Sequence, residues 1–102
     1  ARFMRVMGSD FNASSAITLL DKAQGFSRFD FRSRRTNVRL AAFEVEDAIQ
    51  LLQPVNLHVT DAQLKLKRAL GLLKSGLVIT DRKIDQVREL IESAQNDMVV
   101  RG

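Results

Sequence analysis

Residues 28–39 place Arg28, Arg32, Arg34, Arg35 and Arg39 within twelve positions, interleaved at their start with Phe29 and Phe31. Guanidinium groups are planar forks of N–H donors that match phosphate or carboxylate oxygens two at a time. Aromatic rings beside them offer faces on which bases stack. The chemistry open to this segment is anion recognition, with nucleic acid or an acidic protein surface as partner. A structural role competes for the same rings. Phe26, Phe29 and Phe31 are three of only six aromatic residues, and burying one ring removes about 150–250 Å2 from water. The period-2 alternation of Phe29, Asp30, Phe31 and Arg32 points both rings inward to close a core, leaving Arg28, Asp30 and Arg32 in solvent.

Little else in the chain could do catalysis. There is no cysteine, hence no thiolate nucleophile and no Cys-based zinc site. The single histidine, His58, falls in a segment between Pro54 and Thr60 that reads as a loop, with no second imidazole to share a metal. No serine sits in a G-x-S-x-G setting, and the glycines are scattered singly, so no phosphate-cradling loop is formed. The carboxylates Glu44, Glu46 and Asp47, and again Asp85, Glu89, Glu92 and Asp97, are spaced like solvated helix faces rather than a buried acid–base pair. The expectation is a protein that is not an enzyme and needs neither cofactor nor metal.

Composition supports a small globular unit. The 102 residues are 45% hydrophobic and 27% charged, with one proline and five glycines. One domain over residues 1–102 is expected. Net charge is +4, unevenly placed. Residues 1–43 hold eight Lys/Arg against three Asp/Glu, a net of +5; residues 44–102 hold eight against nine, a net of −1. This asymmetry favours an anionic partner near the first half. No apolar run approaches the roughly 20 residues of a membrane span. The opening residues lack the continuous apolar stretch of a signal peptide, so a cytoplasmic location is the expectation.

Four segments carry helical periodicity. Residues 12–24 put Ala13, Ala16, Ile17, Leu20 and Ala23 on one face, with Asn12 as cap. A second helix is expected from Val38 to Gln53, capped by Thr36 or Asn37 and stopped by Pro54. Val38, Ala42, Val45, Ile49 and Leu52 form one stripe on it, joined by Ala41 and Ala48. Leu40, Phe43 and Leu51 lie on nearly the opposite side. Two apolar faces make this helix either central in the monomer or shared with a partner. An N-terminal arm carrying Phe3 or Phe31 is the other way to cover the second stripe.

Residues 60–75 form a third helix, with Thr60 and Gln63 as a capping box, Val59 and Leu64 as its staple, and Gly76 as its end. Thr80 caps a fourth, Asp81–Met98, with Ile79 and Ile84 as staple. Its seam is Ile84, Val87, Ile91, Ala94 and Met98. The likeness of 59–64 to 79–84 is the same helix-start chemistry used twice. A helix-turn-helix across the third and fourth helices would offer Arg82, Lys83 and Gln86 to DNA, but Asp81 and Asp85 flank them and the linker is long for that turn.

The segments 2–7 and 26–33 read as extended arms that could pair with each other across the first helix. The expected fold is thus all-α: a compact four-helix domain with an irregular, basic N-terminal third and at most a minor two-stranded ribbon. The expected function is a helical protein–protein interaction module, a regulator or assembly factor, self-associating as a homodimer through Leu40, Phe43 and Leu51. The alternative is nucleic-acid binding through Arg28, Arg32, Arg34, Arg35 and Arg39. Far-UV circular dichroism of the purified chain should show well over half of the residues in helix; a β-dominated spectrum would overturn the architecture.

Overall fold

The computed structural model describes residues 3–5, 7–25, 30–53, 56–75 and 80–101. Among them the chain forms four helices, α1 (Met7–Gly25), α2 (Phe31–Leu51), α3 (Leu57–Lys74) and α4 (Asp81–Asp97), with short strands β1 (Phe3–Arg5) and β2 (Val99–Arg101) at either end. The all-α four-helix architecture stands, and no helix is long and apolar enough to cross a membrane.

Three of the helices start where a side chain satisfies an orphan backbone N–H. Thr80 caps α4 as the sequence indicates, its hydroxyl oxygen accepting from Lys83 N at 3.2 Å. The other starts are earlier than periodicity suggests. The Asp30 carboxylate accepts from Ser33 N at 3.2 Å, so Phe31 opens α2. The four-residue alternation there is too short to hold a strand against this cap and the helical run behind it. Asn56 caps α3 by accepting from Val59 N at 3.0 Å. The capping box is therefore not formed. Thr60 lies inside the helix, its hydroxyl donating to Asn56 O, and Gln63 donates instead to Leu52 O at the end of α2. His58 is consequently an exposed residue in the first turn of α3, not a loop residue. Pro54, Gly76 and Ile79, expected as stop, end and staple, lie outside the described residues.

Consecutive helices pack side by side, and α1 closes the ring on α4. Cross-ties show the neighbours to be antiparallel. Ser9 Oγ, at the start of α1, donates to Ala48 O near the end of α2 at 3.0 Å. Lys65, early in α3, reaches Ser93 and Asp97 late in α4 at 2.8 and 2.5 Å. At the opposite end Lys83 donates to Ser75 O at 3.2 Å. α3 and α4 are thus an antiparallel hairpin packed along their length, unlike the crossed pair of a helix-turn-helix. The bundle measures 50 × 20 × 19 Å.

Among its described residues the N-terminal third is mostly helical rather than irregular. Met7–Gly25 is continuous helix, extended at its start by Ser9, whose buried hydroxyl is satisfied by α2. The described part of the arm 2–7 pairs elsewhere than with 26–33, of which Phe31–Ser33 are helical and 26–29 lie outside the described residues. β1 runs antiparallel to β2, with Phe3 opposite Arg101 and Arg5 opposite Val99, and β2 packs on α3 and α4.

The core is built from small residues. Eight of the nineteen buried apolar residues are alanines, among them Ala13, Ala16 and Ala23 of α1 and Ala41 and Ala48 of α2. The seam of α4 is fully buried, as are Leu20, Leu52 and Leu66. The phenylalanines of α1 and α2 are not in the core: Phe11, Phe31 and Phe43 are 72%, 63% and 55% exposed. The inward-facing role expected of Phe31 is overturned. Interaxial distance follows the side chains at the contact, within about 8–10 Å, so helices that meet through alanine leave little room for a ring. Urea unfolding tests this spacing. Ala16→Leu should destabilise the chain by about 1–3 kcal/mol through overpacking, whereas Phe11→Ser should stay within about 0.5 kcal/mol.

Candidate functional site

The described part of the arginine-rich segment, residues 30–39, opens α2 and covers little more than its first two turns, and its members part company. Arg34 faces the bundle. Its side chain is 13% exposed and pairs with Asp81 in the first turn of α4, while its Nε is buried without a hydrogen-bond partner among the described residues. It ties the start of α2 to the start of α4. Arg32, Arg35 and Arg39 are exposed, and none has an acidic partner among the described residues. Arg28 lies outside the described residues, as do Phe26 and Phe29.

Arg34, Arg35 and Arg39 line a groove of about 540 Å3 between the first half of α2 and the last turn of α3. Its apolar lining comes from Val38, Ala42 and Leu73, with Phe31 and Phe43 also along it. Lys74 and Glu46 add a weak cross-groove pair at 3.9 Å. One surface therefore joins part of the candidate anion-binding set with Phe43 of the candidate interface set. Leu40 and Leu51, the other interface candidates, are 45% and 57% exposed on the outer side of α2. Leu51 lies beside the start of α1, where a Cβ built on Gly8 would stand 3.5 Å from Leu51 Cδ1. Phe31 does not cover this face, since it belongs to the same helix and is itself exposed. The side chain of Phe3 is outside what the structure describes.

Periodicity missed the exposed Met7 and Phe11 at the start of α1 and Leu57 and Leu64 on the outside of α3. The i, i+4 spacing of Met7 and Phe11, and the i, i+7 spacing of Leu57 and Leu64, were the available signals. The expected helix starts, 12 and 60, left Met7, Phe11 and Leu57 outside any helix.

The remaining ionic contacts are structural. Arg88 on α4 bridges to Asp21 on α1 and to Asp85 one turn before it, at 3.4 Å. The Asp21 hydrogen bond raises Arg88 from its ordinary pKa against partial desolvation, with further support from the charges of Asp21, Asp85 and Glu92. It is a fixed cation rather than a proton carrier. Gln24 donates to Asp85 at 2.7 Å, and Gln95 to Asp10 and Ser14 at 3.1 and 2.8 Å. Among the described residues no three His, Asp or Glu side chains are grouped to hold a metal ion.

The fold and this surface define a small antiparallel four-helix bundle with an open, amphipathic second helix. In comparisons with protein families, curated proteins and solved structures, nothing matches the chain. The placement of the arginines predicts unequal effects on stability. Arg34→Ala should cost about 1 kcal/mol through the lost ion pair and packed stem, and Arg35→Ala nearly nothing. Equal melting temperatures for the two variants would contradict the assignment of Arg34 to the bundle.

Proposed function

We propose that the chain is a non-enzymatic helical protein–protein interaction module, self-associating through the outer face of α2. The observation that carries this reading is the open stripe of Leu40, Phe43 and Leu51, exposed by 45%, 55% and 57% on a helix whose opposite face is fully engaged in the core. Apolar side chains grouped on one helix face mark a contact that water leaves incomplete. The polar residues around the stripe, Arg39, Asp47 and Gln50, fit the rim of such a contact.

Nucleic-acid binding is the second reading. It is favoured by Phe31, exposed along the same groove as Arg35 and Arg39, which have no acidic partner among the described residues. Three features weigh against it. Arg34 is committed to Asp81. The basic stretch on α2 covers little more than two turns. Glu44, Glu46 and Asp47 follow directly, and they would repel a phosphate backbone continuing along the helix.

Two measurements on the purified chain separate these readings. Sedimentation equilibrium should show concentration-dependent association that Phe43→Glu abolishes, with the helical circular dichroism of the variant unchanged because Phe43 lies outside the core. Fluorescence anisotropy with a single-stranded oligonucleotide should show negligible binding at low salt. A wild-type monomer at high concentration that binds the oligonucleotide, and loses it steeply as salt rises, would replace the first reading with the second.

A further inference from the structure

The outer face of α2 reads, from its start, Thr36, Arg39, Phe43, Asp47, Gln50, with Leu40 and Leu51 along the α1 side. The spacing keeps these residues on one side of a helix with 3.6 residues per turn, and all of them are exposed. A cation lies one turn before the ring and an anion one turn after it. Reversed end to end, this pattern is complementary to itself.

From this, and resting on the self-association proposed above, we infer that α2 pairs with α2 of a second copy, antiparallel, across a twofold axis at Phe43. Phe43 then meets its own copy at the axis. Arg39 of each chain lies opposite Asp47 of the other, with Glu46 next to it, and Thr36 lies opposite Gln50. Leu40 and Leu51 from both copies fall on the same side of the seam, because a twofold axis perpendicular to antiparallel helices preserves that side. The Gly8–Leu51 approach and the Ser9–Ala48 hydrogen bond set the start of α1, with exposed Met7 and Phe11, beside this apolar side.

Three observations select a second copy, in this orientation, as the occupant. Neither Arg39 nor Asp47 has an ion-pair partner among the described residues, so both charges are available. A parallel pairing would set Arg39 against Arg39 and Asp47 against Asp47. The charges of α2 also run against its own dipole. Arg32 and Arg34 stand in the first turn with Arg35 just after it, no acid does, and Glu44, Glu46 and Asp47 occupy the second half. The arginines so placed oppose the positive partial charge of the helix start. An antiparallel copy brings the acidic half and negative end of one helix beside the basic half and positive end of the other. A twofold contact is closed and needs only one self-complementary patch.

The test uses Arg39→Glu and Asp47→Lys, two exposed substitutions that leave the core untouched. Each variant alone sets like charges against each other at two places in the dimer and should weaken association at least about tenfold, since like-charge juxtaposition is strongly unfavourable. An equimolar mixture restores opposite charges at both places. Native mass spectrometry should therefore show a heterodimer well above either homodimer, and sedimentation of the mixture should approach the wild type. Homodimers of both variants as tight as wild type, or a mixture no more associated than its components, would overturn this register while leaving self-association standing. A monomeric wild type would overturn both.

Discussion

The closeness of the helices is the constraint on which the rest of the structure depends. Alanine combines the highest helix propensity with no side-chain entropy to lose, and it leaves little volume between two backbones. The faces where α1 meets α2 carry Ala13, Ala16, Ala23, Ala41 and Ala48, all fully buried. Larger residues enter the interior from all four helices and their ends, as Leu20, Leu52, Leu66, Ile84, Ile91 and Met98. Among the described residues such an interior is filled by alanines and aliphatic side chains. The aromatic side chains of α1 and α2 therefore stay outside, and the surface acquires apolar groups that a larger core would have absorbed.

A core of small residues specifies helix rotation weakly, because alanine faces offer few knobs and holes. Polar ties at the two ends supply the missing specification. At one end Arg34 holds α2 to Asp81 of α4, Gln24 and Arg88 join α1 to α4, and Lys83 reaches the end of α3. At the other, Ser9 reaches Ala48, Lys65 reaches Ser93 and Asp97, Gln95 reaches Asp10 and Ser14, and the β1–β2 pair brings the two chain ends together. Most of these contacts are at least partly exposed, so each is worth little by itself. Together they fix which side of α2 faces outward, which decides that Arg39, Phe43 and Asp47 share the open face.

On that face, stability and association pull in different directions. An isolated helix would be better served by acids at its start and bases at its end, the reverse of what α2 carries. The Asp30 cap and the Arg34–Asp81 pair offset the cluster at its beginning. The proposed pairing assigns a purpose to this cost: the distribution that strains one helix is the one that complements an antiparallel copy. The Arg35–Arg39 groove toward α3 borders the same seam and shares Arg39 and Phe43 with it.

The number and order of helices were legible in the sequence because 3.6-residue periodicity and local caps are properties of short segments. The seam of α4, the Thr80 cap and the two-faced character of α2 all rest on residues within a few turns of one another. The starts of α1, α2 and α3 were not legible. Ser9 is helical and buried because α2 accepts its hydroxyl, and Gln63 leaves its expected cap because Leu52 O lies within reach. The arginines of α2 looked equivalent until the fold brought Asp81, 47 residues away, against one of them. The destination of the phenylalanines was likewise undecidable from composition. Hydrophobicity says only that a ring gains by burial, whereas the distance between helices, set jointly by alanines on different segments, decides whether there is room for it.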